Sequence, residues 1–502
     1  MILLELQFKK TRCACVDRSV REVINQELTQ EIRLSDGLPD LGRILATWGC
    51  VILRGKEWMG DAVRASGGVQ VWVLYAPEDG SQPRCVDAWI PFQTKWDLPQ
   101  MDQEGFIRLK PILRFADSRL VSARKLLTRV GIGITGEVLT TTEHEVYACE
   151  EIPEDVQLLR RTYPVRLPRE AGEKNLLLDE EVDMTGRLSD VEKILGYWAC
   201  PELTERKVLS DKIVFRGNLH LHVIGAGAEG DIRTGDIAVP FSQFAELDGS
   251  YSPDAQATVV CCVTSLELGR NEGTDAHLKC GMVCQYVVDD QQLLKLTEDA
   301  YSPRRELGIT LDELNLPVLL DEQMDTVTAE LQISGHTGEI VDLFFLPDNP
   351  RAQRTEEGYV LEIPGVAQVL YQDESGMLQG VNSRWDTSWK IAAGENSKLY
   401  FDVEPLAQVQ PKVNADALQI RGQITLRTVA TTDQGIPMVT SLELGEQQDP
   451  DQSRPSVILC RMGTESLWSL AKRCGSTEEA IMQANHLTCD PVENTMLLIP
   501  VI

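Results

Sequence analysis

The chain has 502 residues, of which 43% are hydrophobic and 25% are charged, as in an ordinary globular protein of three or four domains. Its formal net charge of −29 argues against nucleic acid as a partner, because a phosphate backbone needs clustered Lys and Arg. No apolar run approaches the roughly 20 residues that span a bilayer. The amino terminus has no basic segment ahead of an apolar core, so we expect neither membrane insertion nor secretion.

A stretch from Leu38 to Tyr75 recurs later in the chain. At an offset of 150 positions (198 − 48), Trp48 falls on Trp198, and the match across the window needs no gap. A fainter third copy lies at 365–371. A repeat with a domain-sized period indicates tandem domains rather than a solenoid. We therefore expect Trp48 and Trp198 to occupy equivalent core positions.

The repeats predict mainly strands. Residues 1–37 are interpreted as a lead-in strand and a helix, and the apolar period from Asp40 to Trp48 fits either a helix or a strand. The alternating run Val69 to Tyr75, the turn at 78–81 and the run Cys85 to Phe92 predict a β-hairpin. Residues 218–224 and 236–241 repeat this hairpin in the second copy.

Each copy ends in two further predicted strands, at 106–115 and 125–139, at 257–267 and 276–288, and at 399–409 and 417–430. Gly131, Gly281 and Gly422 fall at similar places in the last of these strands, where glycine often marks a bulge or a close backbone approach. Such strands between turn-rich segments favour a mainly β fold of tandem, antiparallel, sandwich-like domains.

This interpretation divides the chain into five parts. The first repeat with its lead-in takes 1–150, the second 175–292, and the divergent third 317–444. Residues 445–455 lack apolar side chains and form a linker, and 456–502 form a separate module. The segments at 151–174 and 293–316 carry Pro and charge, so they are interpreted as connections between repeats.

The C-terminal module has the predicted order strand, helix, helix, strand, which makes a small α+β domain. Residues 456–461 predict the first strand and 466–473 the first helix, which Gly475 ends. Ser476 to Glu479 predicts a capping box at the start of the second helix. Residues 496–500 predict the closing strand.

Few patterns carry chemistry. His220 and His222 share one face of a predicted strand and such a pair can ligate zinc, but no third ligand has a recognisable spacing, so we prefer a solvated strand face. The 13 cysteines match neither a disulfide framework nor a zinc ribbon. We expect unpaired, mostly buried thiols and a protein indifferent to reductant and chelator. The sequence lacks nucleophile-elbow and phosphate-loop motifs, so we expect no enzymatic activity, no cofactor and no metal.

Two resemblances cover most of the chain. The segments Glu465 to Arg473, Glu479 to Leu487 and Leu497 to Pro500 resemble the helices and the closing strand of the LysM family. The repeats resemble the SPOCS domain in three features: the strands after Asp61 and Asp211, the Leu-Tyr ending at Tyr75 and Tyr371, and the Pro-Phe at Phe92 and Phe241. SPOCS copies followed by one LysM module resemble a sporulation protein of clostridial spore formers that binds the stage IV coat-basement ATPase.

That resemblance implies a mother-cell cytoplasmic protein at the forespore surface, where coat assembly begins. The LysM module would bind the ATPase, and the SPOCS copies would bind other coat proteins. The alternative is a wall-binding protein whose LysM module holds the GlcNAc chain of peptidoglycan. We favour the first hypothesis because wall glycan lies outside the cytoplasm and the sequence shows no export signal.

The LysM family forms its groove between the loop before the first helix and the loop after the second. The resemblance therefore implies a partner- or glycan-binding site at Gly463, Thr464, Glu465, Ser466, Leu467, Met482, Asn485, His486, Leu487 and Asn494. Three departures from the family should reshape the backbone there: an early Gly463, His486 in place of Asn, and Asn494-Thr495 in place of Gly-Gln. We expect substitution of Ser466 or His486 to weaken ATPase binding by about 1–2 kcal/mol and to leave the fold intact.

Overall fold

A computed structural model describes residues 4–6, 8–99, 104–148, 152–270, 275–335, 338–394, 397–404, 408–414, 416–448, 455–489 and 491–502. Most of these residues are in strands, and both α-helices that they contain lie in the C-terminal module. The predicted mainly β fold is confirmed. The helix predicted within 1–37 is wrong, because this segment forms a short strand and one long strand.

The described strands before the module form three related units. Unit 1 contains β2 (Lys9–Arg33), β3 (Leu41–Trp58), β4 (Ala62–Pro77), β5 (Arg84–Asp97), β6 (Phe106–Ser122) and β7 (Lys125–Ala148). Unit 2 contains β8 (Gln157–Asp183), β9 (Val191–Val208), β10 (Lys212–Gly227), β11 (Ile232–Glu246), β12 (Gln256–Arg270) and β13 (Asp275–Tyr301), with a 3₁₀ turn at Gly186–Leu188. The predicted hairpins and closing strands of both copies are confirmed.

Unit 3 contains β14 (Leu307–Ser334), β15 (Glu339–Pro347), β16 (Arg351–Thr355), β17 (Gly358–Gln372), β18 (Leu378–Ala392), β19 (Ser397–Val403), β20 (Gln408–Val413) and β21 (Ala417–Leu444). The strand that corresponds to β3 is split into β15 and β16, and the one that corresponds to β6 is split into β19 and β20. The first strand of the chain, β1 (Leu4–Leu6), pairs with the end of β21 and so ties the amino terminus to unit 3.

Each unit has one short and one long antiparallel sheet. In unit 1 the short sheet has the order β3-β4-β5, and the long sheet has the order β2-β7-β6. Unit 2 repeats this with β9-β10-β11 and β8-β13-β12. The first and last strands of every unit are therefore neighbours, and they extend together as a long two-stranded ribbon.

The side chains of β4 alternate between two hydrophobic cores, one on each face of the short sheet. Val69, Val71, Val73 and Tyr75 face the core of unit 1, between its two sheets. Trp72 and Leu74 point the other way, into a core shared with the other units. Because successive residues of a strand face opposite sides, a strand buried on both sides needs a continuous apolar run.

The recurring glycines allow close approach of neighbouring groups. A Cβ atom on Gly131 would lie 2.3 Å from the Phe115 ring, and one on Gly422 would lie 2.4 Å from the Phe345 ring. A Cβ atom on Gly281 would lie 2.6 Å from the hydroxyl of Ser265. The prediction of close approach at these three positions is confirmed.

Equivalent residues of the three units meet at a common contact. Trp48 pairs with Trp72 across the strands of unit 1, Trp198 pairs with His222 in unit 2, and Phe344 pairs with Gln368 in unit 3. The Phe344 ring stacks on Trp48 at 5.8 Å and packs against Trp198 at 6.1 Å. Trp48 is buried as predicted, whereas Trp198 is half-buried.

The contacts between units follow a cyclic order. Trp72 of unit 1 packs on Tyr197 of unit 2 at 5.0 Å. His222 of unit 2 meets Asp342 of unit 3, and Gln368 of unit 3 accepts a hydrogen bond from the backbone N–H of Thr47 in unit 1 at 3.2 Å. This is the pattern of a pseudo-threefold arrangement.

The outer halves of the three ribbons pack together into a stalk. Its core takes residues from every unit: Cys13, Cys15, Val146, Val165, Leu167, Leu294, Leu296, Leu314, Leu316, Ile436 and Met438. The predicted connections at 151–174 and 293–316 are therefore wrong, since their described parts lie largely in β8, β13 and β14. Pro and charge occur there because one face of each ribbon is exposed while the other packs in the stalk.

The C-terminal module has the predicted βααβ order. It contains β22 (Val457–Arg461), α1 (Leu467–Cys474), α2 (Glu478–Ala484) and β23 (Met496–Pro500), and β22 pairs with β23 in an antiparallel hairpin. Of the predicted linker at 445–455, residues 449–454 lie outside the described residues. Gly445 and Gln448 bond through their backbone N–H groups to the carbonyls of Glu306 and Arg304 at the base of unit 3.

Candidate ligand-binding surfaces of the C-terminal module

Local capping groups set the ends of both helices. The Ser466 hydroxyl accepts a hydrogen bond from the backbone N–H of Ser469, and Gly475 ends α1 with a φ of 65°. Helix α2 begins at Thr477, whose hydroxyl accepts from the N–H of Ala480. The capping box predicted from Ser476 to Glu479 is therefore wrong, because the N-cap is Thr477 and the residue three positions later is Ala480. Ser476 itself is buried.

The two loops of the predicted groove lie side by side. The backbone N–H of Met462 donates to the carbonyl of Thr495 at 2.9 Å, and the N–H of Asn494 donates back to the carbonyl of Met462 at 2.9 Å. His486 and Asn494 adopt φ angles of 52° and 67°, so each places a non-glycine residue in the left-handed region. Asn tolerates this conformation, which lets Asn494 replace a glycine at this turn.

The predicted site residues divide by exposure. Gly463, Thr464, Ser466, His486 and Asn494 are exposed along the two loops, and Glu465, Met482, Asn485 and Leu487 are half-buried beside them. Leu467 is in the module core, so its side chain is not available to a partner, contrary to our expectation.

Two of these residues have structural tasks. Asn485 donates its amide N–H to the carbonyls of Ile481 and Leu498 and accepts from the N–H of Leu498 at 2.7 Å, which joins α2 to β23. Ser466 caps α1, so its replacement by Ala would cost about 1 kcal/mol of stability besides any effect on binding. Of the two substitutions considered above, that of His486 is therefore the cleaner test.

One ion pair borders the first loop. The guanidinium of Arg473 bonds to Glu465 at 2.5 Å, and this carboxylate raises the pKa of the already basic Arg473. The pair fixes α1 against the loop that precedes it. The positive charge of Arg473 and the negative charge of Glu465 cancel beside this loop.

The outer face of the hairpin is apolar and exposed. Val457, Leu459, Met496 and Leu498 are between 46 and 62% exposed, and Leu459 lies directly opposite Leu498 across the two strands. The inner face of the same strands carries Leu497 and Ile499, which are buried against the helices. A small hairpin that is apolar on both faces therefore leaves one of them exposed.

The opposite side of the module docks on unit 2. The indole N–H of Trp468 donates to the carboxylate of Asp299 at 2.9 Å, and the Lys472 ammonium meets the same carboxylate at 2.8 Å. Tyr301 packs on Trp468 with a centroid separation of 4.7 Å and donates its hydroxyl hydrogen to the buried carbonyl of Ser476. Asp299 and Tyr301 lie near the end of β13, so the module is attached to the end of the stalk.

The histidine pair lies between units 2 and 3. His220 bonds to Glu202 at 2.7 Å, while His222 is buried and bonds to Asp236 at 2.7 Å. Both line a cleft of about 860 Å³ that unit 3 helps to form. The preferred interpretation as a solvated strand face is wrong for His222. Among the described residues, no group of three or more His, Cys, Asp or Glu side chains is arranged for a metal ion.

No described helix has the length and apolar character that a membrane span needs.

The fold defines a chain of related β-units with a C-terminal LysM-type module attached to the end of their stalk. Residues 190–269 match the family described as SipL, SPOCS domain, and this match covers β9 to β12 of unit 2. Residues 465–500 match the LysM domain family. The chain thus combines a SPOCS domain with a C-terminal LysM domain, as the resemblance implied. No curated protein and no solved structure matches the chain.

Proposed function

We propose that this protein is a non-enzymatic adaptor of spore-coat assembly in the mother-cell cytoplasm at the forespore surface. In this proposal the LysM module binds the coat-basement ATPase, and the SPOCS-type units bind other coat proteins. The combination of a SPOCS domain with a LysM domain supports a role in sporulation. Both are binding-type domains.

The observation that carries the choice of partner is the exposed apolar face of the β22–β23 hairpin. A polar sugar chain gains little from four aliphatic side chains, whereas a protein interface uses such a cluster as its central anchor. The docking of α1 on unit 2 leaves this face and the adjoining loops free. The module is therefore a docking surface presented by a rigid support.

The test measures binding of the full chain to the purified ATPase by biolayer interferometry. The double variant Leu459→Ser/Leu498→Ser is expected to weaken binding at least tenfold, because it removes two apolar anchors. Leu177→Ser, at an exposed leucine on β8, is the matched control and should bind as the wild type does. Equal affinities for both variants would contradict the proposal.

Peptidoglycan binding remains the second candidate because the two groove loops are joined and their rims are exposed. Co-sedimentation with insoluble peptidoglycan tests it directly. His486→Asn keeps a residue that tolerates a positive φ and changes only the side chain at the rim. Tight sedimentation that His486→Asn weakens and Leu459→Ser/Leu498→Ser does not, together with no affinity for the ATPase, would establish this candidate instead.

A further inference from the structure

A cavity lies where the three ribbons diverge from the stalk, and we call it the junction cavity. Its volume is about 520 Å³, and all three units line it. Arg18 and Arg108 come from unit 1, Asp289 from unit 2, and Glu322 and Arg427 from unit 3. A cavity of this size accommodates a small molecule.

Each ribbon carries a β-bulge at the level of this cavity. The register shifts between Arg18 and Val20 in unit 1, between Val288 and Asp289 in unit 2, and between Leu319 and Asp321 in unit 3. In unit 2 the bulge lies opposite Pro168, which has no N–H to give to the ladder. Bulges bend strands and re-aim side chains next to functional sites, so the local backbone of all three units helps to shape the cavity.

One end of the junction cavity has an excess of positive charge. Arg18, Arg21 and Arg108 all pair with the carboxylate of Glu137, and the Nε atom of Arg108 donates to it at 2.5 Å. Arg21 also meets Asp402 at 3.1 Å, so the two carboxylates leave one of the three guanidinium charges unbalanced. Burial opposes ionisation of Glu137, but the three guanidinium groups outweigh it and lower the pKa of this carboxyl to about 2. Arg108 is only 4% exposed, and its Nη1 atom has no hydrogen-bond partner.

One acidic side chain of the cavity has no partner among the described residues. Asp289 is 5% exposed, and its carboxyl makes no hydrogen bond or ion pair with the described residues. Glu322 is already paired with Arg427 at 2.8 Å and with Arg206 at 3.2 Å. Burial and the charge of Glu322 raise the pKa of Asp289 to about 7, against the pull of the nearby arginines.

We propose that the junction cavity binds a small zwitterion of the α-amino-acid class, its carboxylate toward Arg108 and Arg18 and its ammonium toward Asp289. A buried polar atom or charge without a partner is costly, and this cavity holds the Nη1 atom of Arg108 and the carboxyl of Asp289. A simple anion would leave Asp289 unpaired, and a simple cation would leave the guanidinium excess uncompensated. Asp17 and Lys398 also line the cavity, and their charges offset each other.

A ligand that contacts residues of all three units stabilises the folded protein against unfolding. The test measures thermal unfolding of the full chain with each of the 20 common L-amino acids at 10 mM, followed by calorimetric titration of those that act. At least one amino acid is expected to raise the melting temperature by several degrees. Its N-acetyl derivative and its decarboxylated amine should bind at least about tenfold more weakly, because each lacks one of the two charges.

Asp289→Asn is the decisive variant, because it keeps the shape of the side chain and removes the charge. It is expected to weaken amino-acid binding at least about tenfold, while Asp97→Asn, at an exposed aspartate on β5, binds as the wild type does. Arg108→Gln should have the same effect as Asp289→Asn if the variant folds. No shift with any amino acid, equal binding by Asp289→Asn, or equal binding of the N-acetyl derivative would each overturn the proposal. The outcome is independent of the partner of the LysM module.

Discussion

His222 links two units through one buried ring. Its Nδ1 atom meets Asp236 of unit 2 at 2.7 Å, and its Nε2 atom meets Asp342 of unit 3 at 3.1 Å. Burial disfavours the charged ring, but the two carboxylates outweigh this and raise the pKa of His222 to about 10. The imidazolium therefore persists at neutral pH and holds the two units together.

The pH dependence of stability should reveal this ion pair. The folded pKa lies above the ordinary value of 6.5, so the stabilisation is fully present below pH 6.5 and is lost as the pH rises through about 10. His222→Gln is expected to cost on the order of 3 kcal/mol at pH 6, and the difference from wild type should shrink toward pH 10.5. Urea unfolding at pH 6, 8 and 10.5 measures it. A pH-independent difference for His222→Gln would contradict the argument.

Two cysteines face each other across the long sheet of unit 2. Cys261 and Cys284 are directly opposite in the register of β12 and β13, and their sulfur atoms lie 2.8 Å apart as free thiols. The contact with Cys284, together with burial, raises the pKa of the Cys261 thiol, which slows its reaction with oxidants. Opposite residues in antiparallel strands have Cα atoms roughly 4.5–5.5 Å apart, a separation that a disulfide can bridge.

We expected the protein to be indifferent to reductant, but this pair of thiols is placed so that an oxidant could link it. Incubation with excess oxidised glutathione should give a Cys261–Cys284 disulfide slowly, with two equivalents of reduced glutathione released and the protein mass lowered by the two thiol hydrogens. Tryptic mass spectrometry measures the link. Cys261→Ser should not form it, and an unlinked wild type after prolonged oxidation would show that the strands hold the thiols in an unsuitable geometry.

At the scale of elements, the two faces of helix α1 make different contacts. Leu467, Leu470 and Ala471 face the module core, while Trp468 and Lys472 reach Asp299 of β13. The helix is therefore the joint between the module and the stalk. This explains why a half-buried carboxylate–indole contact and a buried tyrosine hydroxyl occur at a junction that the sequence indicates only as a linker.

Removal of this contact should free the module. Asp299→Ala leaves the Trp468 N–H without its acceptor and is expected to cost about 1–3 kcal/mol of docking free energy. Limited proteolysis between residues 445 and 455 should then proceed at least about tenfold faster, because cleavage follows the population of the open state. Asp312→Ala, at an exposed aspartate on β14, is the control. Unchanged proteolysis in Asp299→Ala would place the joint elsewhere.

Local patterns predicted the elements better than the contacts between them. The alternation from Val69 to Tyr75 and the helix-ending signal at Gly475 act over a few residues, so the sequence alone identifies them. The stalk was missed because each ribbon has a polar face with Pro and charge, and its apolar face packs in a core that draws residues from all three units.

The sequence likewise predicted the position of the candidate site better than the contacts of its residues. The two loops of the LysM groove were identified from the motif and do lie together, but the burial of Leu467 and the structural hydrogen bonds of Asn485 depend on packing that the motif does not encode. The exposed hairpin face had no signal distinct from a buried strand, because Leu459 and Leu498 continue an apolar run. The Asp342 partner of His222 and the Asp299 partner of Trp468 lie in other units and leave no local trace.

At the scale of the whole molecule, the three units share one core. Trp48, Trp198 and Phe344 come from equivalent strands and meet where the short sheets face each other. The ribbons meet again in the stalk, and β1 pairs with β21 to join the amino terminus to unit 3. A unit removed from this arrangement would expose a large apolar surface, so we expect the units to unfold together rather than one by one.

Double-mutant cycles test this shared core. Trp48→Ala is expected to cost about 3–5 kcal/mol, since the ring is 2% exposed, and Trp198→Ala should cost less because its ring is half-buried. Trp48→Ala and Phe344→Ala remove the two sides of one stacked contact, so their effects should depart from additivity by about 0.5–3 kcal/mol.

Trp385→Ala is the matched control, because Trp385 is a buried tryptophan that stacks on Phe345 within the core of unit 3. Combined with Trp48→Ala it should be additive to within about 0.5 kcal/mol. Urea unfolding gives each free energy, and an additive Trp48/Phe344 pair would mean that the units do not share a core.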